Sequence, residues 1–401
     1  MKRILPEQAA RLCERVYRVK EQSDVAAALV RSGLIPGKVK GITHRRVLQA
    51  ETGIGLARKK DAFALSSLVR TTEGSEDLVI AFRGTFFKSV HDLLTNVDAG
   101  VRTTKTGKRA HVGFARVFET LVADLQRVIP QSAKAYTIHV MGHSLGGAIA
   151  TLAADWISAN TSHHVLLYTF GSPRVGLESY AKQLTQQLPA AQQHRLFHET
   201  DPVATVPIYP FAHAPWDDHG IPIASKSLGL IEAHKMTKYV DSVVNKGWEP
   251  LEDISYLNVL ERKEGSFSRK AIIQNFILNK TPFILTDTPG IKFISEAIAG
   301  LAAGKIDGYF VQSNIWVTGS STIADGLSRV FKDGITRERV MTEGKTWFFL
   351  LLKKIAHALG MKIKEKITEL KMNTIRQVFD ALMLRIQMIV EKALHHLAGQ
   401  L

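Results

Sequence analysis

The sequence predicts an α/β fold with a mostly parallel central sheet, and three observations point to it. Short apolar runs recur at 62–69, 78–82, 136–141, 165–170 and 196–198. Segments with helical spacing of apolar residues separate several of them, at 114–128, 145–159 and 178–188. Between the run at 136–141 and the next helical segment stands Gly142-His143-Ser144-Leu145-Gly146, a sharp strand-to-helix turn.

In chain order, residues 6–33 read as helix, with Ala10, Leu12, Val16, Val19, Val25, Ala28 and Leu29 on one broad face. The strand at 78–82 runs into Arg83-Gly84-Thr85. After the turn at Ser144, the small residues Ala148, Ala150, Ala153 and Ala154 predict a tightly packed helix. A further helix starts near Glu232 and runs through Tyr239 to Val244. Gly247-Trp248-Glu249-Pro250 breaks the pattern, and strand–helix alternation stops there. The boundary is placed between 246 and 265, giving a domain over 1–250 and a mainly helical module over 251–401. In that module Ile375, Val378, Leu382, Ile386, Ile389, Ala393 and Leu397 form an apolar stripe beside Lys362, Lys364, Lys366, Lys371, Arg376, Arg385 and Lys392. Such a stripe docks on its own core, self-associates through the C-terminal helices, or lies in a membrane interface with Trp347 as an anchor.

At 401 residues the chain exceeds one typical domain. Its formal charge of +15 suggests an anionic partner, either phospholipid headgroups or nucleic acid. Nucleic acid is set aside, because the basic residues are spread through both halves without an aromatic-interleaved motif or a helix-turn-helix. The single cysteine, Cys13, excludes an intramolecular disulfide and suggests a reducing compartment. The start, Met1-Lys2-Arg3-Ile4-Leu5-Pro6, does not read as a secretory signal, and no apolar run is long enough to cross a membrane. The expected location is cytoplasmic, or exported without a cleavable signal peptide, with peripheral membrane contact.

Glycines around Ser144 let strand and helix cross closely and lift the hydroxyl clear of the sheet, which marks a nucleophile. A serine hydroxyl needs a general base, a group to orient that base, and donors for the oxyanion formed on attack. Asp201 follows the run at 196–198 and precedes Pro202, which biases it into an exposed turn. Asp217 and Asp218 compete but lack a preceding strand. His213, His219 and His234 lie downstream, and His234 stands where a loop meets a helix. The Leu145 N–H is one oxyanion donor, and Thr85, beyond Gly84, is the other. No metal or cofactor is required.

These motifs resemble the class 3 lipases, a branch of the α/β-hydrolases. The resemblance rests on Phe82-Arg83-Gly84-Thr85, His111-Val112-Gly113-Phe114, Gly142-His143-Ser144-Leu145-Gly146, the segment 168–176, Asp201-Pro202-Val203 and the segment 234–239, and spans 50–245. It implies Ser144 as nucleophile, Asp201 as orienting acid, His234 as base, and Thr85 with Leu145 as oxyanion hole. It also implies a lid over 86–96 whose apolar face is Phe86, Phe87, Leu93 and Leu94. The expected function is hydrolysis of lipid carboxylic esters, as a triacylglycerol lipase or phospholipase A, with a lipid or membrane surface as substrate. Two alternatives are an antibacterial or host-directed phospholipase toxin, with a chaperone or immunity protein as partner, and an inactive membrane-binding protein.

Overall fold

In the computed structural model, the described residues are 3–17, 41–52, 59–70, 76–84, 100–130, 135–198, 201, 203–207, 210–216, 220–223, 230–252 and scattered positions between 352 and 384. Their strands, in chain order, are β1 (Gly41–Thr52), β2 (Lys59–Arg70), β3 (Glu76–Phe82), β4 (Val101–Thr103), β5 (Arg109–His111), β6 (Thr137–His143), β7 (His164–Phe170), β8 (Gly176–Leu177), β9 (Gln193–His198), β10 (Phe211–Ala212) and β11 (Ile221–Ile223). The helices are α1 (Pro6–Arg15), α2 (Val112–Val128), α3 (Leu145–Asn160), α4 (Glu178–Gln187), α5 (Leu230–His234), α6 (Met236–Val243) and α7 (Trp248–Glu252). A 7-stranded sheet runs β1-β2-β3-β6-β7-β9-β11. Strands β3, β6, β7, β9 and β11 are parallel, while β1 and β2 pair antiparallel at one edge. This is the α/β-hydrolase fold expected from the sequence, with Ser144 at the carboxyl end of β6, where parallel sheets place their sites. A smaller 4-stranded sheet, β10-β8-β5-β4, is built from segments that follow β7 and β9 and precede α2.

Alternation along the strands divides the core. Met141, Leu166, Tyr168, Phe170 and Leu196 pack in one cluster with Ala9, Leu12 and Cys13 of α1 and Tyr239, Val240 and Val243 of α6. Helix α3 packs on β6 and β7 and is buried on all sides from Leu145 to Ile157, which its alanines and glycines permit. The edge strand β1, which the sequence pattern does not predict, carries polar residues at His44, Arg45 and Arg46 that obscure its alternation. Its edge is closed by α2: Thr120 Oγ1 accepts from the Glu51 N–H and Asp124 Oδ2 from the Gln49 N–H, each at 3.1 Å.

Two departures matter for the site. The expected helix across 232–244 is broken at Lys235, whose extended backbone (φ −68°, ψ 132°) separates α5 from α6 and leaves His234 at the end of α5. The N-terminal helix ends at Arg15 and continues as one tighter turn to Tyr17. Residues 18–33 lie outside the described set.

A buried ion pair ties β5's approach to α3. Lys108 Nζ donates to Asp155 Oδ1 at 2.6 Å and to Gln187 Oε1 at 2.8 Å, and the Thr106 hydroxyl donates to Asp155 Oδ2 at 2.6 Å. Burial raises the Asp155 carboxyl above its usual range, and Lys108 and Thr106 oppose that rise. Lys108→Met should cost roughly 3–5 kcal/mol at neutral pH, because it strands a buried charge. With the cation gone the folded-state pKa rises further, so the deficit relative to wild type grows with pH above the ordinary carboxyl range and shrinks below it. Thermal melts of both proteins across that range check this.

The chain divides into two compact units, Met1–Val259 and Leu260–Leu401. In the second, Leu352, Ala356, Ile375 and Val378 are buried. Trp347 and the stripe positions Leu382, Ile386, Ile389, Ala393 and Leu397 have no described side chains. No helix among the described residues is long and apolar enough to cross a membrane.

Candidate active site

β6 ends at His143 and α3 begins at Leu145, so Ser144 makes the turn, at φ 57° and ψ −131°. A non-glycine residue holds positive φ only where its surroundings enforce it. Here the crossing does so. A Cβ on Gly142 would stand 2.1 Å from the Gly146 carbonyl oxygen, and one on Gly146 would stand 2.4 Å from that of Phe82. Only glycine fits at either position. The Ser144 N–H donates to the Phe170 carbonyl at 3.0 Å, fixing the turn to β7.

The structure brings Ser144, His234 and Asp201 together. His234 Nδ1 lies 2.9 Å from Asp201 Oδ1 and 2.8 Å from Oδ2, and its Nε2 lies 2.9 Å from Ser144 Oγ. Paired with a carboxylate, Nδ1 carries the proton; Nε2 is then the acceptor and the serine hydroxyl the donor. All three side chains are buried. Asp201 Oδ1 also accepts from the Val203 N–H at 2.9 Å, and Oδ2 from the Tyr239 hydroxyl at 2.7 Å. Burial, then the adjacent carboxylate, pushes the Tyr239 phenol well above its usual range, so it remains a donor. Tyr239 in turn accepts from the His198 N–H at 2.9 Å.

Room for this carboxylate comes from Gly171, at φ 53°. A Cβ there would lie 2.4 Å from Asp201 Oδ2 and 2.9 Å from the Tyr239 hydroxyl. Gly171→Ala should therefore destabilise the fold by about 1–3 kcal/mol from backbone strain alone. It should also depress turnover by displacing Asp201. A melt and an ester assay on the same preparation check both effects.

Leu145 opens α3, so its N–H has no acceptor within the helix and sits at the positive end of the helix dipole. Thr85 and the four lid positions Phe86, Phe87, Leu93 and Leu94 lie outside the described residues. Gly84 is described, and the Tyr17 hydroxyl rests against it, 2.1 Å from where a Cβ would be. The same hydroxyl bonds His143 Nδ1 at 2.6 Å. Arg83 is buried, its N–H donates to Phe63 O at 2.8 Å, and its guanidinium lies 6.0 Å from the Phe63 ring.

Of the competing residues, His213 is engaged by the Ala204 carbonyl at 2.6 Å, and burial drives its pKa well down. Asp217, Asp218 and His219 lie outside the described residues. Among those described, no cluster of three or more His, Cys, Asp or Glu could hold a metal. Sequence reasoning missed Tyr17 and the roles of His198 and Tyr239.

Residues 79–211 match the family described as lipase (class 3). The secreted mono- and diacylglycerol lipase 1 of Fusarium solani is 32% identical over 181 residues, 44% of this chain and 50% of that protein. The secreted mono- and diacylglycerol lipase A of Penicillium cyclopium is 34% identical over 139 residues, 33% of this chain and 43% of that protein. The chain thus spans half or less of these curated relatives. Among solved structures, nonglycosylated Yarrowia lipolytica LIP2 lipase is similar at 20% identity and a TM-score of 0.41, covering 55% of this chain and 79% of that one. The secreted relatives point away from the cytoplasm, so the expected cytoplasmic location is withdrawn. Its physical basis was weak: Cys13 is fully buried, and burial pushes its thiol pKa up, so it reports packing rather than compartment.

Proposed function

We propose, from the premise that residues 79–211 belong to the class 3 lipase family, that this chain hydrolyses carboxylic esters of lipids through an acyl-enzyme on Ser144. The observation that carries the reading is the distance of 2.9 Å between Ser144 Oγ and His234 Nε2, with Asp201 on the opposite ring nitrogen. In this mechanism Ser144 Oγ attacks the ester carbonyl while His234 takes the hydroxyl proton. Asp201 stabilises the imidazolium without accepting its proton. The Leu145 N–H and Thr85 receive the oxyanion; losing one such donor costs about 3 kcal/mol. His234 then protonates the leaving alcohol, and water, activated by the same base, frees the acid.

The relatives named as mono- and diacylglycerol lipases support an acylglycerol substrate. The test is fatty-acid release by the full chain from emulsified mono-, di- and triacylglycerol. Release from at least one is expected, and silence on all three, with no cleavage of short soluble esters, would overturn the reading.

A charge of +15 favours a second reading, phospholipase A action at an anionic bilayer. It requires faster release from phosphatidylglycerol than from phosphatidylcholine vesicles, with the difference shrinking at about 1 M salt, where surface charges are screened. Equal rates at low salt would remove it.

A further inference from the structure

The last carbonyls of a helix have no partner within it, and a short helix ending without a glycine cap must find donors elsewhere. Helix α5 ends this way. Its two last carbonyls belong to Ala233 and to His234, the residue carrying the base of the proposed hydrolase. Each is met by an imidazole. His198 Nδ1 lies 2.6 Å from the Ala233 oxygen, and His143 Nε2 lies 2.8 Å from the His234 oxygen. A carbonyl only accepts, so both nitrogens carry their protons. The remaining nitrogens are occupied: His198 Nε2 faces the Ser242 hydroxyl at 2.9 Å, and His143 Nδ1 faces that of Tyr17 at 2.6 Å. Each neighbouring hydroxyl fixes the tautomer that points an N–H at α5.

We propose that His198, together with His143, is a positioning residue that bolts the end of α5 to the strands bearing its two partners. This rests on the hydrolase reading above. His143 ends β6, one residue before Ser144, and His198 ends β9, three residues before Asp201. The base is thereby held on the same two strands as nucleophile and acid, although it arrives from a separate helix. His198 also stacks on Tyr239 at a centroid distance of 4.0 Å, and its backbone N–H bonds the Tyr239 hydroxyl that reaches Asp201. The imidazole therefore bonds the end of the base's helix and stacks on the tyrosine that reaches the acid, while the backbone N–H of the same residue holds that tyrosine's hydroxyl.

Neutrality suits the task. Both histidines are buried, and burial lowers the pKa of each. A cationic donor beside His234 would oppose the imidazolium formed when Ser144 attacks. A neutral imidazole supplies the N–H without that repulsion.

The test uses full-length His198→Ala, His198→Asn and Ser242→Ala with p-nitrophenyl butyrate, a soluble ester that requires no lipid surface. Misplacement of a reacting group by about 1 Å costs on the order of 100-fold, so His198→Ala should lose roughly 30-fold or more in kcat, with KM within about twofold. Asparagine places an amide N–H near the lost Nδ1 proton and should recover kcat to within about fivefold of wild type. Ser242→Ala frees the tautomer and should cost roughly threefold. Melting temperatures are read alongside. The proposal is overturned if His198→Ala keeps kcat within about twofold, or if the asparagine variant is as slow as alanine at the same melting temperature. If alanine does not fold, the asparagine and serine variants decide: full activity in Ser242→Ala, or a slow but stable His198→Asn, counts against it. An inactive wild type would overturn the hydrolase itself, a result distinct from an active wild type indifferent to these changes.

Discussion

Ser144→Ala should lose about 10⁵- to 10⁶-fold in kcat, which is indistinguishable from zero fatty-acid release in most assays. The size follows from the chemistry. Without Oγ there is no acyl-enzyme, and water would have to attack directly with only the oxyanion donors to help. The fold should tolerate the change, because alanine has the same Cβ at the same positive φ and the substitution removes the hydroxyl's hydrogen bond to His234 while leaving the backbone of the turn intact. The melting temperature should therefore stay within a few degrees, since a ΔΔG of about 1 kcal/mol shifts a domain of this size by only ~2–4 °C. A variant retaining even one hundredth of wild-type turnover would mean that another nucleophile acts.

Asp201→Asn should lose about 10⁴-fold in kcat with little change in KM, the magnitude seen when an orienting acid loses its charge in an unrelated serine hydrolase. The reason lies in the donors around the carboxylate. The Val203 N–H needs an acceptor where Oδ1 stands, so the asparagine amide nitrogen takes the place of Oδ2. It then faces the Tyr239 hydroxyl and His234 Nδ1 as a donor. The imidazole answers by moving its proton to Nε2, which presents a donor to Ser144 where a base is required. Steady-state kinetics on a soluble ester measure the loss, and a fall of less than tenfold would assign Asp201 a structural role only.

The elbow is legible in the sequence because everything that makes it is local. Gly142, Ser144 and Gly146 are close neighbours in the chain, and the collisions that demand glycine arise between those residues and the end of β3. Asp201 and His234 are legible at longer range through order alone: a strand-end acid, then a histidine at a loop–helix junction. Tyr17 and His198 are not. Tyr17 reaches His143 across 126 positions, and His198 reaches Ser242 across 44, so neither pairing leaves a local pattern. The break at Lys235 is hidden for a related reason. No glycine or proline punctuates 232–244, and apolar spacing continues through it, yet the imidazole bonds to Ala233 and His234 stand where helix continuation would otherwise use those carbonyls. The proposed oxyanion turn reads in the sequence as Gly84-Thr85, of which the described residues include Gly84. Compartment is not legible at all, because a lone cysteine reads as a redox signal whereas Cys13 simply fills the core beneath α1.

Covalent labelling tests the central claim most directly. The full chain, incubated with a fluorophosphonate and digested for peptide mass mapping, should carry one adduct, on Ser144, formed at a rate that collapses in His234→Ala. No adduct, an adduct on a different serine, or labelling of His234→Ala as fast as wild type would contradict the account.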